Sequence, residues 1–257
     1  MTEGPQARYI VLMINDRLSG REIENVFIRS RKIHVPLENL VSKKLDKADS
    51  YGKNIVLFVD KYAVRIHPLM YGTVRLYKIG EQYDRPERQV RVKIKFNEYY
   101  IVGFNTPVVE VDYADKIVNW LGENLGPDPY RADWSRDIVI EKLRLRRGEK
   151  IGSILLDQSV IAGVGNILRN EILFRAGISP ERTVDSLSDE EVKAVLEATE
   201  ILFKEFLEKL VKGEGLKNVL SVYNKYKGVC PRCGSRIMYY RQQPHNRKTF
   251  MCPKCQR

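Results

Sequence analysis

Long apolar runs are missing from the 257-residue sequence: none approaches the roughly 18 residues that a membrane-spanning helix needs. Residues 1–8 lack the apolar core of a secretory signal, and the longest apolar stretch nearby, Tyr9–Ile14, is short and runs into Asn15-Asp16-Arg17. Internal repeats and low-complexity tracts are absent as well. The expectation is a soluble intracellular protein, in the cytoplasm or nucleoid, or in the nucleus of a eukaryote, with no membrane partner. Cysteine is scarce, four residues in all, and in a reducing compartment such thiols serve as metal ligands rather than as disulfides. Acidic residues are also in deficit: 33 Asp+Glu against 44 Lys+Arg leave a net charge of +11. That balance suits a polyanionic partner, nucleic acid ahead of an anionic membrane surface.

What is present divides along the chain. Residues 6–18 carry an amphipathic helical pattern, with Ile10, Met13, Ile14 and Leu18 on one side and Gly20 as its stop. From about 22 to 104 the texture is that of strands. Val90, Val92, Ile94 and Phe96 alternate with Arg91, Lys93 and Lys95, Asn97-Glu98 reads as a hairpin turn, and Ile55–Val59 is apolar on both faces. A helix over about 113–124 follows, and Leu125-Gly-Pro-Asp-Pro129 marks a boundary. The second half is helical. Short helices are predicted near 136–145, 149–158 and 166–176. A long one starts at the Ser188/Glu191 capping-box signature and buries Val192, Val195, Leu196, Thr199, Leu202, Phe203, Phe206 and Leu210. A Gly- and Lys-rich stretch, 213–228, leads to the cysteines. The expected order is a β domain (1–126), a helical domain (127–224) and a small metal module (225–257), an α+β chain.

Cys230-x2-Cys233 and Cys252-x2-Cys255 stand 18 residues apart, the spacing of a four-thiolate zinc site on two knuckles. A pair of redox CxxC motifs is the other reading. No ligand position stays open, so one structural Zn2+ is expected rather than a catalytic one. Between the pairs, Arg236–Arg241 and Lys248–Met251 read as a hairpin with its turn at 243–246 and Arg247 near the tip. Arg247 is either a solvated turn residue or a guanidinium offered to phosphate. Upstream, Gly163-Val-Gly165 joins two helices and puts Asn166 at the start of the second, where free backbone N–H groups form an anion site. An ordinary helical corner packed through glycine is the alternative.

The run Gln158–Ile178 resembles the helix-two-turn-helix of the formamidopyrimidine-DNA glycosylase and endonuclease VIII family, and Arg247–Gln256 resembles that family's zinc finger. Thr2-Glu3-Gly4-Pro5, Tyr51-Gly-Lys53, His67-x-x-Met70-Tyr71-Gly72, Leu125-Gly-Pro-Asp-Pro129 and Tyr223 match in the same order. The resemblance implies an N-terminal two-layer β-sandwich with flanking helices, a helix-two-turn-helix domain and a β-hairpin zinc finger. It also implies a monomer acting on damaged double-stranded DNA.

By that resemblance Thr2, exposed once Met1 is removed, supplies the nucleophile through its α-amine. An α-amine of pKa near 7.8 against about 10.4 for Lys has roughly 400-fold more of its neutral form at pH 7. Attack on C1′ gives a Schiff base, Glu3 serves as proton shuttle, and elimination then breaks the strand. Alone, Glu3 would be a solvated terminal acid and Lys53 a solvated lysine ahead of a strand. The resemblance places Lys53, with Arg247, in the catalytic site, and makes Lys53, His67, Asn166, Tyr223 and Arg247 phosphate contacts around an extruded nucleotide. His67 is otherwise a core histidine. Leu69 or Met70, with Tyr71, would fill the void in the duplex.

Two departures stand out: Thr2 where the family has Pro, and Gln6 where it has Glu. A primary amine still forms an imine, but one that can lose its proton. The Asp-Pro-Arg-Arg-Phe-Gly loop of the purine enzymes is absent, the region reading Phe104-Asn-Thr-Pro-Val-Val-Glu-Val-Asp112, and only about a dozen residues separate the long helix from Tyr223. Both features resemble the endonuclease VIII branch and imply oxidised pyrimidines as substrates. The rival readings are a non-catalytic DNA- or damage-binding zinc protein and an oxidised-purine enzyme of the same family.

Overall fold

The computed structural model describes residues 2–216 and 219–257. Met1, whose removal the resemblance requires, and Lys217 and Asn218 of the Gly- and Lys-rich stretch lie outside the described residues. The chain divides into two compact units, Met1–Asn124 and Leu125–Arg257.

The first unit opens with helix α1 (Gly4–Leu18) and continues through strands β1 (Asn25–Ile28), β2 (Lys32–Ile33), β3 (Lys47–Tyr51), β4 (Asn54–Val59), β5 (Tyr62–His67), β6 (Thr73–Lys78), β7 (Val90–Lys95), β8 (Tyr99–Phe104) and β9 (Val108–Tyr113) to helix α2 (Ala114–Asn124). The strands form a four-stranded sheet, β1-β7-β8-β6, and a five-stranded sheet, β2-β9-β5-β4-β3. Among the described residues only the β2–β9 pair is parallel. Inward residues of both sheets, among them Ile55, Leu57, Val64, Ile66, Val92, Ile94 and Ile101, share one core with α1. This is a β-sandwich, as expected. The alternation read in β7 and the Asn97-Glu98 turn are both present.

Helix α1 begins two residues earlier than predicted; Ile14 and Leu18 are buried as expected, but Ala7 and Val11 complete the buried stripe while Ile10 and Met13 are only half-buried. The reason is at its start: Pro5 suits the first turn, and Glu3 and Gln6 close a capping box around it. Val11, Ile14 and Leu18 are each 1% exposed or less, and burial of one such side chain contributes roughly 1.5–3 kcal/mol. The chain's N-terminal end is therefore held against the sandwich.

The second unit contains α3 (Arg136–Arg144), α4 (Ile151–Ile154), α5 (Asn166–Ala176), α6 (Asp189–Val211) and the hairpin β10 (Met238–Gln242) and β11 (Arg247–Met251). The expected helix over 149–158 is a single turn. Asp157 stops it by accepting from the backbone N–H and the hydroxyl of Ser159, at 2.9 and 2.7 Å. Gln158 then holds the two-turn link to α5: its amide donates to the carbonyls of Leu156 and Val164, and its oxygen accepts from Gly163 N–H. Gly163 has φ +93, which a side chain rarely adopts. Among the described residues no helix is long and apolar enough to cross a membrane.

Candidate nucleic-acid interface and metal centre

Thr2 and Glu3 precede α1 and are almost fully enclosed, 7% and 0% exposed. The backbone N–H of Glu3 donates to Gln6 Oε1 at 3.0 Å, so Gln6 acts as the capping partner that a Glu at that position would be. Thr2 borders a cleft of about 680 Å³ together with Gln6, Tyr9, Met70, Tyr71 and Arg85. The opposite lip is the β5–β6 turn. A Cβ on Gly72 would lie 2.3 Å from the Pro68 carbonyl oxygen and 2.8 Å from that of Asn105, so only glycine lets this turn close. Leu69, with φ +52, Met70 and Tyr71 are 44%, 43% and 78% exposed. Three large apolar or aromatic side chains in a row on a rigid tip form a wedge.

Lys53 lies directly ahead of β4, as expected, half-buried in the two-residue β3–β4 turn where Gly52 takes the positive φ of +58. It acts electrostatically on His67 at the end of β5. Burial first, then the positive charges of Lys53 and Arg65, push the His67 pKa down to about 4. Nδ1 of His67 accepts from the Leu69 N–H at 3.1 Å, so the neutral ring carries its proton on Nε2. His67 is thus a neutral donor rather than a cation. Arg65 is itself buried, bonded through Nε to Glu110 Oε2 at 2.8 Å and covered by the Trp120 ring at 4.1 Å.

In the second unit the Sγ atoms of Cys230, Cys233, Cys252 and Cys255 lie within 4.8 Å of one another. The Cys230–Cys255 and Cys233–Cys252 separations are 3.8 and 3.4 Å. A tetrahedron of Zn–S bonds near 2.3 Å has edges of about 3.8 Å, so the donor set and its spacing fit one metal ion. The redox-pair reading needs two separate dithiols and fits less well.

The cysteine hairpin is bolted to α5. Asn166, Arg169 and Asn170, on one helical face, donate to the carbonyl oxygen of Lys248 at 2.9, 3.0 and 3.4 Å. Asn170 Oδ1 also accepts from Phe250 N–H at 2.7 Å. Arg169 is buried and, among the described residues, bonded only to neutral acceptors, including Gln242 and Thr249, and burial pulls its pKa down to about 10. These contacts hold the strand that begins with Arg247. Glu171, one residue further along α5, accepts from the backbone N–H groups of Ser221, Val222 and Tyr223. That clamp sets Tyr223, whose ring packs edge-on to Phe250 at 5.5 Å. The predicted residues therefore form two groups: Thr2, Glu3, Lys53, His67, Leu69, Met70 and Tyr71 in one unit, and Asn166, Tyr223, Arg247 and the cysteines in the other.

Family models match both units: the formamidopyrimidine-DNA glycosylase N-terminal domain over residues 1–111, and the H2TH domain of the same glycosylase over 125–217. The chain belongs to the formamidopyrimidine-DNA glycosylase family. Relatives named formamidopyrimidine-DNA glycosylase in Pelotomaculum thermopropionicum and Geotalea daltonii are each 28% identical, over 100% of this chain and 99% and 100% of their own. A Lactococcus lactis Fpg solved in complex with abasic-site DNA has a TM-score of 0.85 at 25% identity, covering 99% of each chain. Another structure, of the LlFpg protein with a THF-DNA and an inhibitor, has a TM-score of 0.86 at 23% identity and shares the fold.

Within this glycosylase family member, sequence reasoning missed Arg169, Asn170, Glu171, Gln256 and Arg65. All five are polar side chains enclosed by tertiary contacts; Gln256, for example, joins Cys252 N–H to the Ile178 carbonyl. The available signal was a run of polar residues, Arg169-Asn170-Glu171, set between the apolar Ile167-Leu168 and Ile172-Leu173-Phe174 of α5.

Proposed function

We propose that this chain is a bifunctional DNA glycosylase of base excision repair that removes oxidised pyrimidines and then cleaves the strand. The observation that carries the reading is the placement of Thr2: its residue borders a cleft large enough for a nucleotide, next to the enclosed Glu3 and at the positive end of α1. A helix N-terminus disfavours a second positive charge, which favours the neutral, nucleophilic amine. The amine nitrogen attacks C1′ of the extruded nucleoside; the sugar opens, the base leaves with a proton, and an imine joins Thr2 to C1′. Glu3 carries the protons to and from the sugar. Loss of a C2′ proton then expels the 3′ phosphate, and hydrolysis of the imine frees the enzyme.

Lys53, His67, Asn166, Tyr223 and Arg247 hold phosphates on either side of the lesion, and Leu69, Met70 and Tyr71 occupy the vacated stack. Residues 1–126 act as the catalytic domain, 127–224 as the helix-two-turn-helix domain and 225–257 as the zinc finger, whose four cysteines would hold one structural Zn2+. The pyrimidine preference, and with it the endonuclease VIII branch, is supported by the short segment between α6 and Tyr223 and by the compact β8–β9 link at Phe104–Pro107. The purine reading draws support from the relatives, which carry the formamidopyrimidine-DNA glycosylase name.

Borohydride trapping on duplexes containing thymine glycol or 8-oxoguanine tests the proposal. The expected result is a covalent adduct on the Thr2 nitrogen, formed faster with thymine glycol. Absence of any adduct from protein lacking Met1 and loaded with zinc refutes catalysis, and faster trapping on 8-oxoguanine refutes the pyrimidine preference.

A further inference from the structure

The cleft contains a cation that the reading above leaves without a task. Arg85 lines the same cavity as Thr2 and Gln6, and among the described residues its guanidinium has no hydrogen-bond or ion-pair partner; its effect on neighbours is confined to helping hold the Asp84 carboxyl below its usual range. The residues around it are all committed. Asp84 bonds to the Tyr77 hydroxyl and pairs with Arg75 at 2.9 Å. The Tyr83 ring packs against Tyr77 and Phe104, at 4.8 and 5.6 Å between centroids. Pro86 restricts the Arg85 backbone to extended conformations, and the loop closes where Gln89 O accepts from Asn105 N–H at 2.8 Å. The root of Arg85 is thus fixed while its charged head stays available, half-buried in the cleft.

The rest of the wall decides what that head meets. The cavity wall is mixed: Tyr9 and Ile10 offer ring and apolar surface to the face of a base, and Thr2, Gln6, Thr73 and Asn105 offer polar groups to its edge, a combination that suits a base better than a hydrated phosphate. A guanidinium is a planar fork that donates to two adjacent acceptors in the plane of a base. We propose that Arg85 is a base-reading residue, donating to carbonyl and ring-nitrogen acceptors of a pyrimidine held in the cleft beside Thr2. This rests on the glycosylase reading above.

The test compares Arg85→Met and Arg85→Lys with the unaltered protein on two duplexes, one containing thymine glycol and one a preformed abasic site, under single turnover. The abasic duplex has no base to read. Expected is a loss of roughly tenfold or more in base excision by Arg85→Met, in line with the worth of a two-pronged base contact. The loss in cleavage of the abasic duplex should be several-fold smaller, the salt dependence of binding unaltered, and Arg85→Lys should fail to restore excision. Equal losses on both duplexes overturn the proposal, as does no loss on either. A salt slope reduced by about one unit assigns Arg85 to a phosphate and likewise overturns it. If the unaltered protein neither excises nor cleaves, the glycosylase reading itself has failed. If it processes both duplexes while the variants match it, only Arg85 has been misassigned. Thermal melting of both variants confirms folding, and Arg85→Gln serves as a further variant should either be unstable.

Discussion

Glu171 Oε1 accepts from the backbone N–H of Tyr223 at 2.7 Å, and the same carboxylate also takes the N–H groups of Ser221 and Val222. A helix residue thereby fixes a distant loop residue without touching its side chain. Burial raises the Glu171 pKa while the three donors pull it back.

Replacing Glu171 with Ala strands three backbone donors in a buried site. The cost of each unpaired group is about 1–3 kcal/mol, so a destabilisation of about 3 kcal/mol or more is expected. Glu171→Gln keeps one acceptor and should fall between. Urea unfolding measures both; a change under about 1 kcal/mol in the Ala variant would show that the clamp is dispensable.

Glu3→Gln should abolish base excision while leaving DNA binding within about twofold. A Gln can still accept a hydrogen bond at the start of α1 but cannot shuttle a proton. Stability should shift by less than about 1 kcal/mol. Excision retained at near the original rate would remove Glu3 from the mechanism.

His67 and Lys53 should separate in a salt series. Lys53→Ala should reduce the salt slope of DNA binding by about one unit, because a cation on a phosphate displaces a counterion. His67→Ala should weaken binding with the slope unaltered, since the ring is a neutral donor. The depressed pKa also has a sign for stability. Unfolded His titrates near 6.5 and the folded ring near 4, so between these values the unfolded state binds more protons and stability falls as pH falls. Nuclear magnetic resonance titration of the His67 Cε1 proton reads the folded value directly; a midpoint near 6.5 contradicts the structure.

Stripping the metal should unfold the cysteine hairpin. Its small core is Phe174, Val222, Cys230, Ile237, Phe250 and Cys252, so two of its six buried members are metal ligands. Structural zinc of this kind supplies much of the folding free energy of its module. Chelation should release one zinc per chain and weaken DNA binding roughly tenfold or more through loss of Arg247 and the aromatic contacts around Tyr223. Unchanged binding after complete release would separate the hairpin from DNA.

Features set by local chemistry were readable from the residues alone. The CxxC pairs, the Ser188/Glu191 cap, the Asn97-Glu98 turn, the alternation of β7 and the α5 start after Gly165 each depend on neighbours within a few positions or on a spacing rule. The net charge and the order of short motifs pointed to the family for the same reason. The Gln6 departure is explained by its capping box with Glu3, and the helix expected over 149–158 ends early because Asp157 competes for the backbone locally. Arg65, Arg169, Asn170, Glu171 and Gln256 became intelligible only in three dimensions. A buried polar side chain is stable when its acceptors or donors arrive from elsewhere in the chain, often 50 to 80 residues away. Periodicity reports which face of an element is apolar; it is silent on the partners that make a polar face burial-competent. Those partners hold Tyr223 in position and anchor the strand that starts at Arg247. The packing of the 79–89 loop, likewise, is what brings Arg85 to the wall beside Thr2.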